Sequence, residues 1–356
     1  MNKNEGFDLS FFRGRRVFVT GHTGFKGSWL ARILADAGAE VTGYALPPAE
    51  DAPLFALSGV EGEITSVLGD IRDFPRLLAA FRAARPEVVV HLAAQPIVAE
   101  GYRQPRETFE VNLMGTVNLL ECVRQVPGVR SAVMVTTDKV YASAGVARRE
   151  GDELDGFDPY SNSKSCAELA VGCYRRAVLA GQGTALSTVR AGNVIGGGDF
   201  APRRILPDCL RAAERGEDIL LRRPEAVRPY QHVLEALFAY LLLAARQYDA
   251  PDLAGAYNIG PEAADCVTTR RLTELFCAAW GEGAPQVRVQ PEDMVEDECL
   301  TLECEKFRET FGWRPVWNVK TAVEKTVEWA KEHRAQEEMA RCMRRQIAAY
   351  LQEKTW

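Results

Sequence analysis

Short, unbroken apolar runs alternate along the first half of the chain with stretches of helical period. Runs at 16–20, 40–45, 64–68, 88–92, 133–135 and 186–190 are rich in Val, Ile, Leu and Phe. They lack the polar alternation of a half-wet strand, so each predicts a parallel strand covered on both faces. Between them, apolar spacings of three and four predict helices through Trp29, Leu30, Ile33 and Leu34, over 74–84, and through Phe109, Val111, Leu113, Val117 and Leu120. Four strand–helix alternations before residue 150 specify an α/β fold, a doubly wound parallel sheet of the Rossmann type with ligands at the carboxyl ends of its strands. Past residue 190 the pattern changes. A glycine-rich loop at 191–199 leads into irregular helical segments, with no regular helix expected directly after the glycines and a last amphipathic helix near 322–329. We expect a first domain over 1–190 and a smaller α+β domain over 191–356, interleaved with the first, without internal repeats or low-complexity tracts.

Candidate chemistry gathers where the predicted strands end. The run at 133–135 stops at Thr136, Thr137, Asp138 and Lys139, and D-P-Y-S-N-S-K then places Tyr160 and Lys164 four residues apart on one helical face. A phenol beside an ammonium is expected to have a lowered pKa and to serve as a base toward an alcohol. The first strand runs into Gly21, His22, Thr23, Gly24, Phe25, Lys26 and Gly27. Three glycines at that spacing also describe a plain turn, but at the first strand-to-helix junction they favour a pyrophosphate cradle. The second strand ends without the acid that holds an adenosine ribose, and no Arg or Lys between Ala45 and Ser66 offers to hold a 2′-phosphate, so NAD is favoured over NADP, with Lys26 the one nearby positive charge. Asp70 is either an adenine contact or the cap of the 74–84 helix. His91, inside an apolar run, reads as a satisfied core histidine, and Asn112 as a buried amide bracing the strand ends. Arg203, Arg204, Arg222, Arg223 and Arg228 form either a solvated surface or a grip on a phosphorylated ligand.

The net charge of −6 argues against general binding of nucleic acid. Nine cysteines without C-x-x-C spacing, and no basic-then-apolar leader, suit reduced thiols in a cytoplasm, with neither disulfides nor a metal site. The longest apolar stretch, 236–245, is too short to span a membrane.

The glycine pattern T-G-H-T-G-F-K-G, the pair Tyr160 and Lys164, the loop N-V-I-G-G-G-D, R-P-Y-Q-H-V-L-E from Arg228, and the closing F-G-W-R-P-V-W resemble the extended short-chain dehydrogenase/reductases acting on nucleotide sugars, across essentially the whole chain. Within that family, Thr137-Asp138-Lys139 resembles the 4,6-dehydratases, and most of all their CDP-glucose branch. The resemblance implies a lyase of deoxysugar biosynthesis in which NAD is a recycled internal oxidant. Tyr160, assisted by Lys164, takes the C4 hydroxyl proton while hydride leaves C4, and Thr137 hydrogen-bonds the same hydroxyl. The ketone acidifies the C5 proton; a base removes it while a protonated Asp138 gives its proton to the departing C6 hydroxyl, and hydride returns to C6. Lys139 stands where many 4,6-dehydratases have Glu, so it is either that base or only a salt-bridge partner of Asp138.

The same resemblance places NAD on the first domain, at Gly21, His22, Thr23, Gly24, Phe25 and Gly27, at Asp70 and Ile71, at Leu92, Ala93 and Ala94, and at Asn112, Thr136, Tyr160 and Lys164. It places the nucleotide-diphosphate sugar at Gln95, Thr137, Asn193, Arg204, Leu206 and Arg228, largely in the second domain, with His232 either a ligand contact or a packed residue at a helix start. It also implies a homodimer or higher oligomer through the helices bearing Met114, Val117 and Leu120 and bearing Leu169 and Tyr174, although those stripes equally suit a core. Two rivals remain. An epimerase shares the Tyr-Lys pair but has no need of Asp138, and a non-catalytic NAD-binding protein predicts damage to the reactive cluster, of which none is visible.

Overall fold

The computed structural model describes residues 7–51, 53–142, 147–291 and 299–356. Its central sheet contains six strands where the apolar runs predict them: β1 (Arg16–Thr20), β2 (Glu40–Ala45), β3 (Thr65–Leu68), β4 (Val88–His91), β5 (Ser131–Val135) and β6 (Ala185–Ala191). A seventh, β7 (Ala256–Ile259), comes from beyond residue 190 and pairs with β6. The order is β7-β6-β5-β4-β1-β2-β3, every pairing parallel. The chain winds outward from β1 to β3, then returns to the other side of β1 with β4, and this reversal opens a crevice at the carboxyl ends.

Both faces of the sheet are dry except at the edge strand β3, where Thr65 and Leu68 are exposed contrary to the expectation for 64–68, and the covered strands read as continuous apolar runs. Val88, Val90, Val133 and Val135 pack with Trp29, Leu30 and Phe238 on one side, whereas Phe18, Val89, Ala132 and Met134 pack with Leu77, Phe81 and Leu119 on the other. Helices α1 (Phe25–Asp36), α2 (Phe74–Ala84), α3 (Gly115–Gln125), α4 (Pro159–Cys173) and α6 (Val233–Asp249) flank the sheet, and α5 (Ile205–Arg215) belongs to the second half of the chain. Asp158 starts α4 by accepting the N–H of Tyr160 (2.9 Å) and Ser161 (3.1 Å), with Pro159 in the first turn, and so fixes where the Tyr-Lys face begins. The helical run through Asn112 is not uniform. Pro105–Phe109 is α-helical, Glu110–Met114 widens to a π turn, and α3 resumes the α geometry.

Helix α6 carries the longest apolar stretch and is buried almost all round, lying between the sheet and helices of the C-terminal part. Among the described residues no helix is long and apolar enough to cross a membrane. The second half is more regular than its sequence suggests. Helix α5 does follow the glycine-rich loop, after an irregular polar interval at 199–204 that hides the connection. With α7 (Thr269–Trp280) and α8 (Val319–Arg334) it encloses a separate core of Leu206, Leu272, Phe276, Val323 and Val327. The segment near 322–329 is therefore not the last helix. Helix α9 (Met339–Glu353) follows it, its buried face of Met339, Cys342, Met343, Ile347 and Tyr350 masked in the sequence by Arg341, Arg344 and Arg345.

Glu235 in the first turn of α6 fastens these parts together. It is fully buried, its Oε1 accepting from Val316 N (2.9 Å) and Trp317 N (2.6 Å) and its Oε2 from the Tyr350 hydroxyl (2.7 Å). Burial outweighs these bonds and pushes its pKa up to about 7 from an ordinary 4.5. The folded chain thus holds a proton that the unfolded chain has released, so the stability this proton contributes is complete below about 4.5 and is lost as pH rises through about 7. Glu235→Gln keeps the shape and the acceptor for both backbone N–H groups. Native protein is expected to lose stability relative to this variant between about pH 5 and about pH 8, by at most on the order of 3 kcal/mol. Urea midpoints of both proteins at the two pH values measure the effect, and parallel pH dependences would refute it.

Candidate active site

The glycine turn separates packing needs from ligand needs. Gly21 has φ of +75°, and a Cβ there would lie 2.8 Å from Ala93 N; a Cβ on Gly27 would lie 1.9 Å from Gly21 O. Both glycines are required by the fold itself. A Cβ on Gly24 meets no protein atom closer than Gly21 O at 3.5 Å. Gly24 also stands at the N-terminus of α1, where backbone N–H groups and the helix dipole favour an anion. His22 turns inward, its Nε2 2.7 Å from Ser66 Oγ and its ring against Gly43, where a Cβ would come within 2.3 Å. Thr23 Oγ1 donates to Leu46 O (2.9 Å). The side chains of His22 and Thr23 therefore tie the turn to its neighbouring strands.

At the end of β4, Thr20 Oγ1 accepts from Leu92 N (3.1 Å) and Ala93 N (3.2 Å) and lies 2.6 Å from His91 Nδ1. His91 Nε2 meets Thr116 Oγ1 (3.0 Å), and burial pulls this imidazole down to about 3, a satisfied neutral core residue as the sequence suggests. Asn112 is fully buried. It accepts from Gln95 N (2.9 Å) and donates to Gln95 O (3.1 Å) and Ser163 Oγ (2.9 Å), clamping the chain past Ala94 to α4. Gln95 is committed to this scaffold: its amide donates to Thr108 Oγ1 (2.9 Å) and accepts from Ile97 N (2.6 Å), and it stands outside the cavity lining. Asp70 is not the cap of α2, a task performed by Asp73 through Arg76 N (3.1 Å). It pairs with Arg72 (2.6 Å), whose guanidinium holds the carboxyl below its ordinary value, while Ile71 packs on Gly115.

A cavity of about 360 Å³ opens between the strand ends and the second half of the chain. Its lining draws Thr136, Thr137, Asp138, Lys139 and Tyr160 from the end of β5 and the start of α4, Phe25 and Lys26 from the first turn of α1, and Asn193, Arg204, Leu206 and Arg228 from the second half of the chain. Thr137 Oγ1 donates to Asp138 Oδ1 (2.9 Å), and both residues are buried. Beneath them Thr136 Oγ1 donates to Glu168 Oε1 (2.6 Å). Lys164 lies below Tyr160 and outside the lining, its Nζ donating to Val135 O (3.3 Å). Burial brings this ammonium down to about 8, opposed by the charge of Glu168. The phenol behaves contrary to expectation. Burial pushes Tyr160 up to about 12, against a hydrogen bond with Thr137, and the desolvation of both groups dominates over any help from the neighbouring ammonium.

All five arginines of the 203–228 cluster reach the cavity, and Arg204 is paired with a buried Asp199 at 3.0 Å. His232 does not reach it. The imidazole caps α6, accepting Leu234 N on Nδ1 (3.3 Å), and packs edge-on to Trp317 with ring centres 4.9 Å apart. Two charged residues that the sequence did not place at the sugar site, Lys26 and Asp199, also line the cavity. Lys26 sits within the glycine motif and lines the same cavity as Asp138 and Tyr160.

A sequence model described as GDP-mannose 4,6 dehydratase matches residues 18–326. The chain is 40% identical over 352 residues to a CDP-glucose 4,6-dehydratase of Salmonella typhimurium, covering 97% of this chain and 98% of that one. It is 27% identical to a UDP-glucose 4-epimerase of Halalkalibacterium halodurans, over 89% of this chain and 96% of the relative. Among solved structures, a dTDP-glucose 4,6-dehydratase from Streptomyces venezuelae with NAD and TYD bound superposes with a TM-score of 0.78 at 26% identity, covering 91% of this chain and 99% of that one. A match through sheet, cavity and second half alike means that the chain belongs to the GDP-mannose 4,6-dehydratase family, within the extended short-chain dehydrogenase/reductases.

Proposed function

We propose that the protein dehydrates CDP-D-glucose to CDP-4-dehydro-6-deoxy-D-glucose, with NAD as an internally recycled oxidant. The observation that carries this reading is Asp138 beside Tyr160 and Thr137 in one cavity of a chain 40% identical to a CDP-glucose 4,6-dehydratase. The open space at Gly24, the small Ala93 and Ala94, and the α1 N-terminus fit a dinucleotide laid across the strand ends. When bound, NAD+ supplies a hydride acceptor and a positive charge beside Tyr160.

The chain's own residues then handle protons. Tyr160 takes the proton of the C4 hydroxyl, Thr137 orients that hydroxyl, and the buried ammonium of Lys164 stabilises the phenolate. Oxidation at C4 makes the C5 proton acidic. A base removes it, Lys139 being the candidate that the family resemblance offers beside Asp138, while Asp138 protonates the C6 hydroxyl so that it leaves as water. An acid placed to protonate a leaving group favours elimination over epimerisation, which needs no such donor. Arg204 and Arg228, with Asn193 and Leu206, are suited to the nucleotide diphosphate, guanidinium forks matching phosphate oxygens. Exposed Met114 and Leu169, beside α3 and on α4, suit the interface of a homodimer, and the free thiols suit a cytoplasmic enzyme.

Three measurements test this reading. Incubated with CDP-, dTDP-, UDP- and GDP-linked hexoses and NAD+, the protein is expected to remove one water from CDP-glucose, read as product mass; a changed stereocentre without mass change would move it to the epimerases. In single turnover, Asp138→Asn should still reduce the nicotinamide but dehydrate about 100-fold or more slowly, whereas Tyr160→Phe should lose the first oxidation as well. Native dehydration by the Asp138 variant would remove that residue's role. Gly24→Ala should keep the native fold by circular dichroism yet bind NAD+ at least about tenfold more weakly by titration calorimetry, because its methyl fills space that the protein leaves open.

A further inference from the structure

Resting on the dehydratase reading above, we propose that Asp199 is a positioning residue for substrate binding, which holds the Arg204 guanidinium where it grips the diphosphate of the nucleotide sugar. Asp199 is a buried carboxylate in the lining of a cavity that takes an anionic ligand. By charge alone it repels that ligand, so its place in the lining calls for a task that outweighs the repulsion.

The geometry supplies the task. Asp199 Oδ2 accepts from Arg204 Nη1 (3.0 Å), and its Oδ1 accepts from Ala201 N (3.1 Å). Among the described residues no other side chain bonds the Arg204 guanidinium, and Nε and Nη2 are left for a ligand. The chain between the two partners turns back through Arg203, whose φ of +62° is a conformation that a non-glycine residue adopts at a cost. Asp199 is itself fixed by its loop. A Cβ on Gly197 would run into the Trp329 ring of α8 and one on Gly198 into Leu54, while Trp29 of α1 donates to Gly197 O (2.9 Å). From α5, Arg211 donates to Phe200 O (3.1 Å). A long, flexible side chain is thus aimed by an acid that both halves of the chain hold in place.

The charge of Arg204 is felt at both Tyr160 and Lys26. Because Tyr160 meets the hexose at C4, this guanidinium belongs at the hexose end of the diphosphate, on the phosphate that carries the sugar. Such a contact is the same before and during the reaction. Its loss therefore acts on substrate affinity rather than on the chemical steps.

The test uses the NAD-loaded enzyme, with CDP as the binding probe and CDP-glucose as the substrate. Asp199→Asn and Asp199→Ser both keep an acceptor for Ala201 N and both remove the carboxylate that holds the guanidinium. Each should raise the Kd for CDP by titration calorimetry and the KM for CDP-glucose by the same factor, about tenfold, with kcat within about threefold of native. Arg204→Met should weaken CDP at least as much, and adding Asp199→Asn to it should cost no more than about twofold further. Relief of repulsion alone would instead tighten CDP in the Asp199 variants, and that result, or native affinity, would overturn the proposal. So would a raised KM with native CDP binding, which means a direct contact to the hexose, or an effect of Asp199→Asn that repeats in full beside Arg204→Met. Native circular dichroism and NAD+ affinity show that a variant keeps its fold; their loss in both Asp199 variants would assign this residue to the fold and overturn the proposal. If native enzyme neither binds CDP nor dehydrates CDP-glucose, the dehydratase reading itself falls, whereas variants that match an active native enzyme remove the role of Asp199 alone.

Discussion

The carboxylate of Glu168 is the point on which the reactive end of the sheet depends. Its Oε1 takes the hydroxyl of Thr136 at the end of β5, and its Oε2 takes Thr188 (2.8 Å) and Arg190 (2.8 Å) of β6. Arg190 reaches on to the Tyr141 hydroxyl (2.7 Å), which donates to Asn258 Oδ1 of β7 (2.6 Å). One buried acid on α4 thus links three strand ends and the turn bearing Asp138. Removing either partner of a buried pair strands the other charge, at a cost of roughly 3–5 kcal/mol. Lys164 lies one helical turn before Glu168 and Tyr160 one turn earlier still, so this anchor also sets the register of the phenol and ammonium against Thr137.

Dryness shapes the electrostatics of the cavity more than pairwise attraction does. It raises the phenol of Tyr160 and lowers the ammoniums of Lys26 and Lys164, driving apart groups whose ordinary values nearly coincide. Each shift favours the neutral form of its group, as a dry site does. The same desolvation keeps His91 and His232 neutral, so three residues that resemble catalytic bases on paper, counting His22, are structural spacers.

How much of this was legible in the sequence follows from how local each signal is. Strands buried on both faces declare themselves as apolar runs, and the glycine turn and the Tyr160–Lys164 spacing are short motifs, so the sheet, the turn into α1 and the helix that carries Tyr160 and Lys164 were all readable. The bonds of Gln95 to Thr108 and Asn112 were not foreseen, because they join residues distant in the chain and no periodicity announces them. The rise of Tyr160 was missed because burial is a tertiary quantity, whereas the neighbouring lysine is visible in the chain. Helix α9 hid behind its arginines, and β7 behind the helical pattern around it. Lys26 was quoted as part of a motif whose glycines drew the attention, and only the fold shows that it lines the cavity of Asp138.

The late arrival of β7 matters when the chain is made. Strand β6 is complete at residue 191, but its outer edge stays bare until 256–259 has been synthesised. At about 5–20 residues per second that interval lasts several seconds, during which a long apolar strand presents unpaired backbone groups to its surroundings. The covering helix α6 emerges within the same interval. The nascent first half is thus a template for pairing with a second nascent chain, and the length of the insertion between β6 and β7 sets how long a chaperone must shield it.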